Sequence, residues 1–198
     1  MSEIINMKKI GITGGIGVGK TYVSDILRKL DYPVYNSDEV SKKIMNTNLE
    51  LIQLIKNEFG EDIYASDNKL NSSRLSSLVF SDRLILTKIN SIVHPFIFDD
   101  FKLWCLKQSS SIVFKEAAIL FESGANNDLD AVICISADDN LRIERIKKRD
   151  GRTEEDIRLI ISSQIDQVRK EEMSDYKIIN DGKTSLLMQI NEIIEDLE

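Results

Sequence analysis

Cysteine and long apolar runs are scarce in this chain of 198 residues. Its two cysteines, Cys105 and Cys134, form no C-x-x-C pair. Cys134 lies in an apolar run, where we expect a buried thiol, and this cysteine usage favours a reducing compartment. No stretch approaches the 18 apolar residues that a membrane helix needs. The apolar segment near the amino terminus is interrupted by charge, so we expect no signal peptide and a cytoplasmic protein.

A basic stripe is also missing. The net charge is −7, and acidic residues are spread along the chain. Because nucleic-acid binding depends on Lys and Arg against phosphate, this composition argues against nucleic acid as the main partner. With 42% hydrophobic and 30% charged residues, the chain has an ordinary globular composition, and its length fits one compact domain over 1–198.

One segment near the amino terminus matches a phosphate-binding loop. Residues 14–21 read Gly-Gly-Ile-Gly-Val-Gly-Lys-Thr, a complete G-x-x-x-x-G-K-S/T motif. Its glycines let backbone N–H groups point at phosphate oxygens, Lys20 can reach the β- and γ-phosphates, and the Thr21 hydroxyl can hold Mg²⁺. We therefore predict a nucleoside triphosphate site formed by Gly14, Gly15, Gly17, Val18, Gly19, Lys20, Thr21 and Tyr22.

The flanking sequence supports this interpretation. Residues 8–13 are typical of a short buried strand, and residues 22–30 place Val23, Ile26, Leu27 and Leu30 on one apolar helical face. Strand, loop and helix form the setting that the motif requires. The alternative is a glycine-rich turn without a ligand, but such a turn needs neither Lys20 nor Thr21.

The remaining chain alternates short apolar strands with helices, which predicts βαβ units and a mostly parallel sheet. Residues 38–108 are the exception, because they are nearly all helical and too long for one crossover; we interpret them as a helical insert. The sequence thus predicts a three-layer α/β domain. Its further predicted strands cover residues 32–35, 112–114, 129–136 and 176–179.

Several helix boundaries can also be predicted. Leu49–Phe59 and Leu186–Leu197 have helical patterns, and Asp138 or Asp139 caps a helix that ends near Arg149. Residues 60–73 are rich in turn formers and predict a surface excursion. Ser81-Asp82 is expected to open a long helix to about residue 108, which Pro95 kinks or splits after His94.

Two carboxylates follow predicted strands and are expected near the loop. Ligands of open α/β sheets bind beyond the carboxyl ends of the strands. Asp38, just past the second strand, is the best candidate to orient or deprotonate a nucleophile; its alternative role is a helix N-cap. Glu116, just past the third strand, could hold Mg²⁺ through water or contact the substrate. The alternative for Glu116 is a satisfied polar residue at a strand end.

The dense basic cluster suggests a lid over the triphosphate, in the region 142–166. Arg145 and Arg149 are four residues apart and share one helix face, and guanidinium groups suit phosphate oxygens. The alternative is a solvated helix face paired to nearby glutamates. The full cluster consists of Arg142, Arg145, Lys147, Lys148, Arg149 and Arg152.

Other signals are absent or ambiguous. His94, the single histidine, is more often structural than catalytic in such a position, and phosphoryl transfer does not require an imidazole. Residues 68–71 resemble the guanine-binding motif Asn-Lys-x-Asp but have asparagine at the last position. The sequence also lacks the strand of four apolar residues followed by Asp that is typical of motor ATPases. Both absences favour a small-molecule kinase.

Together these motifs resemble the dephospho-coenzyme A kinase family, from Ile10 to about Gly182. Residues 11–21 match the family's opening almost letter for letter, and Asn36-Ser37-Asp38 stands where the family carries Asp-x-Asp. His94-Pro95 is similar to the signature of the CoA-binding insert. Further similar segments are 119–122 (end of a Pro-Leu-Leu-x-Glu motif), the lid residues Arg145, Arg149 and Gln164, and the adenine-side turn 180–182. The departures are Asn36 for Asp, Ala118 for Pro and Gln167 for a frequent Arg.

The resemblance implies a P-loop kinase with a parallel five-stranded sheet, a CoA insert and a lid. It implies transfer of the ATP γ-phosphate to the ribose 3′-hydroxyl of dephospho-CoA, with Mg²⁺ on Thr21, by a monomer or weak homo-oligomer. The implied catalytic residues are Asp38 as the base with Lys20, Arg145 and Arg149. Asn180 would contact the nucleotide. His94, Glu116 and Glu122 would contact the substrate.

Two alternatives stay open at this point. A kinase for another nucleotide or nucleoside would share the loop and the lid and differ in what residues 38–108 accommodate. A regulatory or scaffold protein would bind ATP without transferring phosphate, but pure binding needs neither Asp38 nor the lid arginines.

Overall fold

A five-stranded parallel sheet carries the phosphate-loop segment. The computed structural model describes residues 7–81 and 83–198. The described chain divides into two units, residues 7–36 with 108–198 and residues 37–107. The sheet belongs to the first unit and has the strand order β2-β3-β1-β4-β5. Its strands are β1 (Lys8–Thr13), β2 (Val34–Asn36), β3 (Ile112–Glu116), β4 (Ala131–Ser136) and β5 (Tyr176–Ile179).

The register of the central strand positions the site. β1 pairs with β3 on one side and with β4 on the other, both in parallel. Ile12 lies opposite Glu116 of β3, one residue before β1 ends. The carboxyl ends of β1 and β3 therefore meet at one edge of the sheet, where the loop of residues 14–19 begins.

The two faces of the sheet are packed differently. On one face Ile10, Ile12 and Phe114 form a core with apolar side chains of helices α1 (Lys20–Lys29) and α9 (Leu186–Leu197). On the other face Gly11 leaves room for Leu120 and Leu129, because a Cβ there would lie 2.8 Å from each of these side chains. This alternation is what a strand of period two requires when both faces are covered.

The other helices of this unit surround the loop edge. They are α6 (Asp139–Asp150), α7 (Glu154–Ser163) and α8 (Gln167–Glu172). Asp138 caps α6 by accepting the Asn140 N–H at 2.9 Å, as expected, and Thr153 caps α7 by accepting the Asp156 N–H at 3.2 Å. The short helix α8 has no counterpart among the sequence predictions. Its N-cap is Asp166.

The second unit contains α2 (Ser37–Thr47), α3 (Leu49–Phe59), a 3-10 turn (Glu61–Ile63), α4 (Ser72–Ser81) and α5 (Arg83–Cys105). The long helix predicted to open at Ser81-Asp82 is confirmed as α5, although Ser81 is the last residue of α4 and Asp82 lies outside the described residues. Pro95 does not split α5, whose inward side chains at positions 89, 93, 97 and 101 are all buried. Their packing offsets the hydrogen bond that proline cannot donate. Among the described residues, no helix combines the length and the apolar character of a membrane span.

Candidate active site

The loop between β1 and α1 requires glycine at two positions, Gly17 and Gly19. Gly17 has φ of 82°, and Gly19, directly before α1, has φ of 95°. A Cβ on Gly17 would lie 2.8 Å from the Arg142 carbonyl oxygen, and a Cβ on Gly19 would lie 2.3 Å from Asn180 Nδ2. Both the left-handed backbone and the close neighbours therefore exclude larger residues here.

Lys20 bends back over the loop that precedes it. Its ammonium donates hydrogen bonds to the carbonyl oxygens of Gly14 at 2.9 Å and Gly15 at 3.2 Å. Lys20 is also the first residue of α1, whose positive dipole end is directed at the same loop. The arrangement concentrates positive charge where a bound phosphate chain would lie.

Thr21 and Glu116 form a pair of oxygen ligands beside the loop. The Thr21 hydroxyl donates to Glu116 Oε1 at 3.3 Å, and Glu116 is 4% exposed. Its other oxygen, Oε2, is buried without a hydrogen-bond partner among the described residues. A buried carboxylate oxygen without a partner is costly, and a hydroxyl with a carboxylate is a donor set that suits Mg²⁺. Glu116 is the last residue of β3 and not, as predicted, a residue just past it; its surroundings suit a metal role, which stays a prediction.

Two arginines of α6 lie against the loop. The buried Arg142 donates from Nε to the Ile16 carbonyl oxygen at 2.9 Å and from Nη1 to Asp139 at 2.7 Å. Arg145 donates to the Val18 carbonyl oxygen at 3.4 Å and to the Asn180 carbonyl oxygen at 3.1 Å. Both guanidinium groups therefore support the backbone of the loop.

Arg149 occupies a different environment from Arg145. Its side chain is 65% exposed and donates two hydrogen bonds, of 2.7 and 2.8 Å, to the Asp150 carboxylate. This hydrogen bonding raises the pKa of Arg149 and lowers that of Asp150. Lys147 and Arg152 likewise pair with surface carboxylates, Glu154 and Asp150. The basic cluster thus contains loop-supporting arginines, Arg142 and Arg145, and solvated residues paired with surface carboxylates; the predicted lid over the triphosphate stays a prediction.

Asn180 lies under the loop with its amide engaged. The side chain is buried; Nδ2 donates to the Val18 carbonyl oxygen at 2.8 Å, and Oδ1 accepts from Arg145 at 3.2 Å. Asp181 shapes the following turn by accepting the N–H groups of Lys183 and Thr184. In this structure the Asn180 amide therefore supports the loop itself.

Two glutamines hold the first half of the loop. The Gly15 N–H donates to Gln167 Oε1 at 3.0 Å, and the Ile16 N–H donates to Gln164 Oε1 at 2.9 Å. Sequence reasoning noted Gln164 from family resemblance alone and Gln167 only as a departure. No local signal identifies either contact, because the partners are about 150 residues apart in the chain.

The buried Lys170 forms an ion pair with the partly exposed Glu122, which the sequence did not indicate. Lys170 is fully buried; its ammonium lies 2.8 Å from Glu122 Oε1 and donates to the Ala118 carbonyl oxygen at 2.9 Å. The same Glu122 oxygen accepts the Ile165 N–H at 3.2 Å. Glu122 thus anchors the segment between α7 and α8, and its predicted contact with substrate stays a prediction.

Two predicted site residues belong to the second unit. Asp38 is exposed and is the second residue of α2, which begins at Ser37, two residues earlier than an Asp38 cap requires. His94 is half-buried within α5. In the first unit, Tyr22 is 62% exposed on α1. The roles of Asp38, His94 and Tyr22 stay predictions.

The loop at the carboxyl end of the central parallel strand, followed by a helix that begins with Lys20 and Thr21, defines a P-loop nucleotide-binding protein. The sequence model of the family described as dephospho-CoA kinase matches residues 8–185. The dephospho-CoA kinase of Bacteroides fragilis (strain YCH46) is 38% identical over 187 residues, which cover 94% of this chain and 91% of that protein. This chain belongs to the dephospho-CoA kinase family.

Solved structures agree with this assignment. A crystal structure of a Thermus thermophilus protein matches with a TM-score of 0.81 at 25% identity, covering 97% of this chain and 96% of the other. The dephospho-CoA kinase of Campylobacter jejuni matches with a TM-score of 0.67 at 25% identity, covering 96% of each chain. The predicted α/β fold with a five-stranded parallel sheet is confirmed, as is the family resemblance.

Proposed function

We propose that this protein transfers the γ-phosphate of ATP to the 3′-hydroxyl of dephospho-CoA, giving CoA and ADP. The observation that carries the proposal is the complete phosphate loop, with Lys20 and the Thr21–Glu116 pair, in a chain that matches the dephospho-CoA kinase family over residues 8–185. We further expect the reaction to take place in the cytoplasm, in a monomer or weak homo-oligomer.

The loop would bind the phosphates of the nucleotide. Its backbone N–H groups from Gly17 to Thr21 and the start of α1 form an anion site, and the Lys20 ammonium exchanges its contacts with loop carbonyl groups for contacts with phosphate oxygens. These interactions position the γ-phosphate and offset charge that develops during transfer. Tyr22, exposed on the first turn of α1, lies at the edge of this site.

Thr21 and Glu116 are the residues that would hold Mg²⁺. The Thr21 hydroxyl would be one ligand, and Glu116 Oε2, which has no hydrogen-bond partner among the described residues, would hold the metal directly or through water. When bound, the metal supplies positive charge to the β- and γ-phosphates. Before binding, the buried Glu116 carboxylate keeps the Thr21 side chain in one orientation.

We assign the base to Asp38, which accepts the proton of the attacking ribose hydroxyl. Arg145 and Arg149 would neutralise charge on the phosphoryl group, and in this role Arg149 leaves Asp150 while Arg145 leaves the loop carbonyl oxygen. His94 and Glu122 would contact dephospho-CoA, and Asn180 would lie on the adenine side of the nucleotide. The family resemblance is what supports these assignments.

A turnover assay tests the proposal. Purified protein is incubated with ATP, Mg²⁺ and dephospho-CoA, and CoA is measured by mass spectrometry beside a panel of nucleoside and nucleotide acceptors. Formation of CoA in preference to every other phosphorylated product is expected. Preference for another acceptor would instead identify a different nucleotide kinase, and no ADP with any acceptor would identify a regulatory nucleotide-binding protein.

Asp38→Asn tests the base separately. Because the amide cannot accept the proton, we expect kcat to fall by about 10²-fold or more with little change in KM. Glu39→Gln, one residue further along the same helix turn, is the matched control and should retain wild-type turnover. Near-wild-type turnover of Asp38→Asn would remove the base assignment while leaving the kinase assignment intact.

A further inference from the structure

The first half of the phosphate loop has its backbone polar groups engaged by side chains. The carbonyl oxygens of Gly14 and Gly15 accept from Lys20, and that of Ile16 accepts from Arg142. The N–H groups of Gly15 and Ile16 donate to the two glutamine side chains, Gln167 and Gln164. This half of the loop therefore has a defined shape that does not depend on phosphate.

Gln167 is itself fixed by further contacts. Its Nε2 donates to the Ile135 carbonyl oxygen at 3.1 Å and to Glu171 Oε1 at 3.2 Å. Glu171 in turn accepts from the Ser136 hydroxyl at 2.6 Å and pairs with Lys177. The amide that accepts from Gly15 is thus connected to the carboxyl end of β4 and to Lys177 near the start of β5, two strands that pair in the sheet.

The fit at Gly15 is close. A Cβ on Gly15 would lie 2.3 Å from Arg142 Nη2 and 3.1 Å from Gln167 Oε1. Arg142 and Gln167 therefore both lie close to Gly15 and leave no room for a side chain there. Arginine has donors only, so an arginine at position 167 could not accept the Gly15 N–H.

We propose that Gln164 and Gln167 are positioning residues for the nucleotide-binding loop. By accepting the N–H groups of Ile16 and Gly15, they hold the loop in its nucleotide-receiving shape before the nucleotide arrives. They also tie that shape to the segment between α7 and α8, because Gln164 follows the last residue of α7 and Gln167 begins α8. Preorganisation of this kind lowers the ordering cost of binding, so its loss weakens nucleotide binding. This inference rests on the proposed function only for the transfer step, and nucleotide binding tests it independently.

The surroundings decide which substitutions are informative. Arg142, Gln164 and Gln167 border a cavity of about 360 Å³. Alanine at either glutamine position would admit water, which can replace the lost hydrogen bond. Methionine has a similar length and no comparable acceptor, so Gln164→Met and Gln167→Met remove the interaction without opening space.

The experiment measures ADP affinity by calorimetry and steady-state kinetics for both methionine variants. We expect ADP dissociation constants and KM for ATP to rise about tenfold in each variant, which corresponds to about 1.4 kcal/mol, while kcat changes less than about threefold. Asp175→Ala is the control, because Asp175 accepts the Val132 N–H at 2.8 Å at the opposite end of β4. It should lower the melting temperature without changing ADP affinity.

Two outcomes would overturn the proposal. One is ADP affinity within about twofold of wild type in folded methionine variants; the other is an equal loss of affinity in Asp175→Ala. Amide hydrogen exchange on the ligand-free wild type provides a test that needs no variant: the Gly15 and Ile16 amides should be protected, and exchange as fast as in exposed loops would also overturn it. A wild-type protein that binds ADP but makes no CoA would contradict the proposed function and leave these tests valid.

Discussion

The Thr21 hydroxyl donates its hydrogen bond to a Glu116 carboxylate that is almost completely buried, 95 residues away in the chain. This contact joins the first turn of α1 to the end of β3. It leaves Glu116 Oε2 without a partner among the described residues. A ligand that satisfies this oxygen would stabilise the carboxylate in place.

Glu116→Gln should therefore change the metal requirement. The amide keeps the size of the side chain but removes its charge, so we expect the Mg²⁺ concentration for half-maximal activity to rise about 10–100-fold. The measurement is a titration of turnover with Mg²⁺ at saturating ATP. Glu144→Gln, on the exposed surface of α6, serves as the control and should behave as wild type. An unchanged Mg²⁺ titration for Glu116→Gln would contradict the metal role.

Gly19→Ala should destabilise the fold more than an alanine at another glycine with positive φ. Gly124 has φ of 69°, and its nearest atom to a new Cβ lies at 3.6 Å, so Gly124→Ala carries backbone strain alone. Gly19→Ala adds a contact of 2.3 Å with Asn180, which we expect to cost about 1–3 kcal/mol more. Urea unfolding of the two variants measures the difference. Equal losses would show that Asn180 moves aside at no cost.

Lys170→Met should be destabilising. The Glu122 carboxylate, whose side chain is 22% exposed, loses its charged partner but keeps access to water and to the Ile165 N–H, so we expect a cost of about 1–3 kcal/mol. Arg169→Gln, the next residue back on α8, breaks the exposed pair with Glu172 and should cost under about 1 kcal/mol. Adding Glu122→Gln to Lys170→Met should recover part of the loss in chemical denaturation. If the double variant is no more stable than the single one, the pair is not coupled.

Cys134 should make the folded state sensitive to alkali. Burial raises the pKa of its thiol to about 11, from an ordinary value of 9.0. Below pH 9 both the folded and the unfolded state carry the thiol, and the full stability is present. As the pH rises towards 11 the unfolded state loses its proton first, so stability falls by up to about 3 kcal/mol. Cys134→Ala should remove this part of the decrease between pH 9 and 11, and Cys105→Ala should keep it. Parallel pH profiles for wild type and Cys134→Ala would contradict the prediction.

Much of the fold could be predicted because local patterns determine it. The bounds of α3, α9 and β5 match the sequence prediction residue for residue, since each combines a clear apolar period with a capping or turn residue. Helix α4 was missed, because asparagine and serine at positions 71–73 are typical of turns. Pro95 was expected to interrupt a helix that tertiary packing maintains.

The site residues could be predicted only where they form a motif of neighbouring residues in the sequence. The loop motif identifies Lys20 and Thr21 from eight neighbouring residues. The supports of that loop, Asn180, Gln164 and Gln167, come from distant segments, and their contacts follow from the strand order and from where α8 begins. A glutamine or an asparagine gives no periodic or spacing signal of such a role, so three-dimensional placement was needed to find it.

During synthesis, the phosphate loop is made before the residues that support it. The contacts of the loop reach forward by 126 residues to Arg142, by 152 to Gln167 and by 162 to Asn180. A nascent chain therefore carries the phosphate-binding motif long before anything shapes it. The ability to bind a nucleotide arises only once residues up to Asn180 have left the exit tunnel, so products truncated before them should not compete for ATP.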